Sequence, residues 1–198
     1  MPSDAAMTDA KRTLRAAARM AQRAAHTAAG RGAGERLCRN FGRAIMPAVG
    51  AVVSGYWPME GEMDPRVLMA DLAARGHSLC LPVVQGRGKP LLFRAWRKGD
   101  AMVPGSLGIL APAPDAAVLT PSLLLVPLLA FDREGFRLGH GAGYYDMTLA
   151  DLRAAGRVLA VGVAYAGQEV AQVPREAHDQ PLDWLVTEVE AIQFGAKA

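Results

Sequence analysis

The sequence predicts an α/β fold: a single layered domain with a mainly parallel sheet flanked by helices. Apolar runs at residues 49–57, 77–84, 123–127 and 158–164 lack polar alternation, the pattern of strands buried on both faces. Helical periodicity falls between those runs, giving strand–helix–strand order. The 198 residues suffice for one core and show no repeat, low-complexity tract or long linker, so residues 1–198 are expected to form one domain.

Taken in order, residues 1–7 read as a frayed end, after which Thr8 or Asp9 can cap a helix. Leu14, Ala17, Ala18, Ala21 and Ala25 recur there at helical spacing, and Gly30-Arg31-Gly32 stops the helix. A second helix is expected over 34–45, ending before Pro47. The strand over 49–57 ends at Pro58; Asp64 as N-cap and Pro65 at the first helical position then open a helix that Gly76 closes. Strands follow over 77–84 and 91–96, separated by the turn-rich Gln85-Gly86-Arg87-Gly88-Lys89-Pro90. Frequent Gly and Pro make 98–121 mostly loop. Beyond the strand at 123–127 come a glycine loop, a helix over 144–155 stopped by Gly156, a strand over 158–164, a turn at His178-Asp179-Gln180-Pro181, and a short strand over 184–187.

Composition narrows the function. Net charge is +3, but before Gly50 nine basic residues face three acidic ones. Such an end can meet nucleic acid, an anionic membrane or an anionic small molecule, and equally can be a solvated helix face. The basic residues lie around the helix without interleaved aromatics, so a nucleic-acid platform is not expected. Cys38 and Cys80 stand far apart with no C-x-x-C, excluding a disulfide framework or zinc site and fitting a reducing cytoplasm. No apolar run is long enough for a membrane span. The Arg/Ala-rich start has the composition of a transit peptide, though not a secretory signal.

The segment with the most chemistry is Arg137-Leu138-Gly139-His140-Gly141-Ala142-Gly143-Tyr144-Tyr145-Asp146. Alternating glycines let the backbone approach a ligand, and the following helix start offers free N–H groups to phosphate. Arg137 adds a fixed positive charge, and Asp146 can hold a metal against the phosphates. It is neither a Walker A loop nor a Rossmann fingerprint.

This segment, with Pro127 through Gly135 before it, resembles the signature of the 5-formyltetrahydrofolate cyclo-ligase family. Matches continue at Lys11-x-x-Leu14-Arg15, from Tyr56 through Glu62-Met63-Asp64, and at His178-Asp179-x-x-Leu182-Asp183-x-x-Val186-Thr187-Glu188. The resemblance implies an ATP- and magnesium-dependent ligase that cyclises 5-formyltetrahydrofolate to 5,10-methenyltetrahydrofolate, acting as a cytoplasmic monomer without nucleic acid or membrane. It implies ATP contacts from Lys11, Arg15 and the loop Arg137, Leu138, Gly139, His140, Gly141, Ala142, Gly143, Tyr144 and Tyr145. It implies substrate contacts from Tyr56, Glu62, His140 and Tyr145, catalytic roles for Arg137 and Tyr145, and magnesium on Asp146 and Asp183. An ATP role for Lys11 and Arg15 argues against a cleaved leader. Replacing Asp146 or Arg137 with Ala is then expected to cut turnover and leave the fold intact. The chain departs from the family pattern at Ala111, where Glu is usual, and at Leu128, where Gly is usual.

Overall fold

A computed structural model describes residues 4–195. Its elements are α1 (Asp4–Ala29), α2 (Ala33–Ala44), β1 (Val52–Ser54), α3 (Arg66–Ala74), β2 (Ser78–Val83), β3 (Leu92–Ala95), β4 (Met102–Pro104), β5 (Leu110–Pro112), β6 (Leu123–Pro127), β7 (Ala130–Phe131), β8 (Arg137–Leu138), α4 (Tyr144–Ala155), β9 (Leu159–Val163), β10 (Trp184–Val186) and β11 (Ala191–Gln193).

The central sheet has seven strands in the order β11-β10-β9-β6-β1-β2-β3. Strands β10, β9, β6, β1 and β2 run parallel, and antiparallel β3 and β11 close the two edges. The α/β expectation therefore holds. Two-residue alternation sends Val53, Leu79, Leu81, Leu123, Leu125 and Val161 to one face, against Leu37 and Phe41 of α2 and Leu68, Met69 and Leu72 of α3. Cys80, Leu124, Val126 and Ala160 point to the other face, where Leu149 of α4 covers them. Helix α1 packs elsewhere, with Ala18 against Leu129, Ala130 and Leu138 beside the small β7–β8 hairpin.

Several boundaries move. Helix α1 already includes Asp4, the first described residue, so the frayed end expected over 1–7 does not extend to residues 4–7, and its residues 1–3 lie outside the described residues; Asp9 pairs with Arg12 within the helix instead of capping it. Helix α3 begins one residue later than expected, with Pro65 at the N-cap position, and Asp64, now ahead of the cap, accepts the Arg66 N–H at 2.9 Å. Residues 98–121 are mostly loop, as expected, but they also hold the β4–β5 hairpin, which was not. Strands β7, β8 and β11 were not expected at all. Helix α4 has its expected bounds, with Gly143 in the left-handed region at its start and Gly156 after its end.

From β1 the chain steps to β2 on one side and later to β6 on the other. This is a topological switch point, and the crevice at the carboxyl ends of such strands is where α/β folds bind ligands.

Candidate functional site

A cavity of about 350 Å³ opens at that end of the sheet. Tyr56, Val83 and Pro127, at or just past the ends of β1, β2 and β6, form its floor. The glycine loop, the start of α1, the β4–β5 hairpin and residues 176–179 contribute walls. The hairpin's share includes Ile109 and Ala111, so the departure from Glu at 111 leaves this wall apolar. Leu128, the other departure, is buried, and its carbonyl accepts the side-chain amides of Gln22 and Gln168.

The glycine loop is held at both ends. Arg137, whose side chain is 4% exposed, donates from Nη2 to Asp146 Oδ1 at 2.7 Å and from Nη1 to the Gln180 carbonyl. Burial pulls the guanidinium pKa down and the Asp146 charge opposes it; guanidinium remains ionised all the same. Asp146 also accepts the Gln180 N–H at 3.0 Å. In the middle of the loop, Arg15 Nε donates to the Gly139 carbonyl at 3.0 Å, and its Cζ lies 3.2 Å from where a Cβ on Gly141 would project. Gly141 has φ +109°, a conformation that side-chain-bearing residues rarely adopt.

Lys11 points to the same end of the cavity. Its Nζ donates to Glu176 at 2.7 Å and Asp179 at 2.6 Å, with the side chain only 10% exposed. Burial acts to lower its pKa, but the hydrogen bonds to Asp179 and Glu176 outweigh that and the net shift is upward. Glu176, His178 and Asp179 bring one ligand atom each within 4.8 Å of one another, an arrangement with two carboxylate oxygens that suits a hard divalent cation. Sequence reasoning missed Glu176 and took Asp179 only as a turn residue, although the His178-Asp179 match was the available signal.

Asp183 is not brought to this cavity. It immediately precedes β10, at the opposite end of the parallel strands. Its Oδ2 accepts the Ala160 N–H at 2.7 Å and Arg153 Nη2 at 3.1 Å. Of the two acids expected at the metal, the structure brings Asp146 to the cavity, beside Glu176 and Asp179, and leaves Asp183 outside its lining.

The opposite wall carries Glu62, which is 6% exposed. Its Oε2 accepts the Met59 N–H at 2.8 Å, and Oε1 lies 3.1 Å from His140 Nε2. Tyr165 donates its hydroxyl to the Glu62 carbonyl at 3.2 Å, with His26 Nδ1 2.7 Å from the same hydroxyl. Tyr56 lines the cavity, but its hydroxyl is committed to the Met63 carbonyl, leaving its ring as the available surface. Tyr145 lies between the two walls; burial first, then the Glu62 charge, pushes its phenol pKa up, so it stays a neutral donor. Trp57 also lines the cavity, braced edge-on by Trp96 and covered by Arg66 5.2 Å from its ring centroid.

Comparison with known proteins agrees with this architecture. The model of the 5-formyltetrahydrofolate cyclo-ligase family matches residues 7–188. A 5-formyltetrahydrofolate cyclo-ligase of Escherichia coli K12 is 34% identical over 140 residues, 68% of this chain and 76% of that one. Its counterpart in Haemophilus influenzae is 33% identical over 132 residues, 64% and 70% of the two chains. The NMR structure of Aquifex aeolicus 5,10-methenyltetrahydrofolate synthetase superposes with a TM-score of 0.77 at 29% identity, covering 95% of this chain and 94% of that one. With a family match over nearly its whole length and the fold shared end to end, the chain belongs to the 5-formyltetrahydrofolate cyclo-ligase family.

Proposed function

We propose that the chain uses ATP to close 5-formyltetrahydrofolate into 5,10-methenyltetrahydrofolate, releasing ADP and phosphate. The observation that carries this reading is one cavity lined on one side by the glycine loop with Lys11 and Arg15 and on the other by Glu62. The loop and α1 side takes the triphosphate, through the exposed backbone from Gly139 to Gly143 and the cations beside it. Glu62 takes the pterin, whose amide and amino N–H groups form a donor pair that a carboxylate accepts.

In the reaction the formyl oxygen attacks the γ-phosphorus and ADP leaves, giving an imidoyl phosphate. N10 of the folate then adds to the activated carbon, loses its proton, and the C–O bond breaks to release phosphate and leave the methenyl cation. The protein's contribution is alignment, charge neutralisation and exclusion of water. Arg137 is charged and buried, so it faces the phosphates without reorganising; Tyr145 offers a neutral hydroxyl between the two substrates.

The carboxylates of Asp146, Asp179 and Glu176 would hold magnesium, which typically uses one or two carboxylates plus phosphate oxygens. Bound there, the ion would neutralise phosphate charge. Lys11 shares two of those carboxylates and is placed to turn to the phosphates as the cation takes them. The chain is read as a monomer acting in the cytoplasm; no helix among the described residues is long and apolar enough to cross a membrane.

The test is a turnover assay on the pure protein. ADP release should require both 5-formyltetrahydrofolate and magnesium and should parallel the near-ultraviolet absorbance of the methenyl product. Absence of product with all components present would overturn the reading.

A further inference from the structure

We infer that His140 couples the two ligand sites, so that occupation of the phosphate loop tightens folate binding and the converse. This rests on the reading of Glu62 as the pterin's carboxylate and of the glycine loop as the phosphate site.

His140 lies 78 residues from Glu62 in sequence, yet its Nε2 is 3.1 Å from the buried Oε1. Nothing in a phosphate loop demands an imidazole, since backbone N–H groups serve the anion. What the side chain does is reach across the cavity. Its backbone is fixed from the other side, because Arg15 grips Gly139 by a hydrogen bond and packs its guanidinium against Gly141. The residue between those two glycines therefore passes the position of the loop directly to the Glu62 carboxylate.

The stoichiometry of hydrogen bonding fits a coupler. Each carboxylate oxygen accepts about two bonds. Met59 N–H occupies one site on Oε2 and His140 occupies one on Oε1. One acceptor site per oxygen remains, which is what a pair of parallel N–H donors on the pterin needs. His140 can donate from Nε2 either as the neutral tautomer protonated there or as imidazolium. It thus holds the carboxylate oriented without competing with substrate. A phosphate that orders the loop orders this contact as well, and linkage makes the effect reciprocal.

The experiment is a calorimetric titration with 5-formyltetrahydrofolate, with and without the β,γ-imido analogue of ATP and magnesium. For the unmodified protein the analogue should tighten folate binding by roughly 5-fold or more, the lower end of typical coupling. In His140→Ala that ratio should fall to within about twofold of one. His140→Gln, which restores an N–H donor at similar reach, should recover most of it. An unchanged ratio in His140→Ala, no coupling in the unmodified protein, or loss in both variants would overturn the inference while leaving the site reading in place. If the unmodified protein bound neither ligand, the site reading would fail and this inference with it.

Discussion

Removing the Asp146 carboxylate strands the guanidinium of Arg137, which is enclosed and has its Nη2 committed to that acid. The sequence suggested that Asp146→Ala would cost turnover alone. The geometry adds a stability cost, because an uncompensated buried charge is expensive, about 3–5 kcal/mol when both partners are fully buried. Asp146 is 22% exposed, so a loss of about 2–3 kcal/mol is expected, read as a lower urea midpoint together with depressed ADP release. The two other acids separate by function. Asp179→Ala should raise KM for magnesium–ATP strongly, because it removes a carboxylate and an anchor of Lys11. Asp183→Ala should cost about 1–3 kcal/mol of stability for the unpaired Ala160 N–H, read as a lower thermal midpoint, with Arg153 still held by Gln180 and Pro181, while kcat stays near normal. Equal kinetic damage from both would return Asp183 to the site.

At the scale of elements, the glycine loop is a conformation as much as a set of ligands. Gly141→Ala meets two obstacles: a positive φ that costs about 1–2 kcal/mol for a residue with a Cβ, and Arg15 Cζ 3.2 Å from the new atom. Affinity for the ATP analogue should drop well beyond the change in melting temperature; an equal effect on both would mean that the loop's shape matters only for folding. The same loop shows what was legible in the sequence. Its glycines and the following helix could be read because Gly143 and Gly156 bracket a periodic segment, and α4 has the expected bounds. The β4–β5 hairpin could not, since each strand is three residues long and ends in a proline, Pro104 or Pro112. Those signals read locally as loop, and only cross-strand pairing makes them a wall. Asp183 shows the limit for the site. A motif match gives spacing along the chain, but which end of a parallel sheet an acid occupies depends on where the strand begins. Only Gln180, Pro181 and Leu182 separate Asp179 in the cavity from Asp183 beside Ala160, and the chain reaches the opposite end of β10 between them.

For the whole molecule, the layered core sets the response to alkali. Burial is the leading cause of a raised pKa for Cys80 and Tyr165, each pushed up to about 12, and for Tyr56 and Tyr145, which are also raised. In the unfolded chain these groups return to about 8.5 for Cys and about 10 for Tyr. A folded-state pKa above the unfolded one means that the native protein binds the proton more tightly. Stability from these groups is therefore full below the unfolded values and is lost as pH rises through the folded ones. Lys11 acts in the same direction, its pKa raised by Asp179 and Glu176 despite burial. Three of the chain's four tyrosines carry the upward shift, so the prediction has a direct optical readout. Stability should be level near pH 8 and fall from about pH 9–10 upward, with each group adding up to about 1.4 kcal/mol per pH unit. Most tyrosinate absorbance should then appear in one cooperative step that coincides with loss of circular dichroism. A gradual titration centred near the free-phenol value, with the fold retained, would mean that the tyrosines flanking Glu62 are open to solvent and that the cavity between the glycine loop and Glu62 does not exclude water as its chemistry requires.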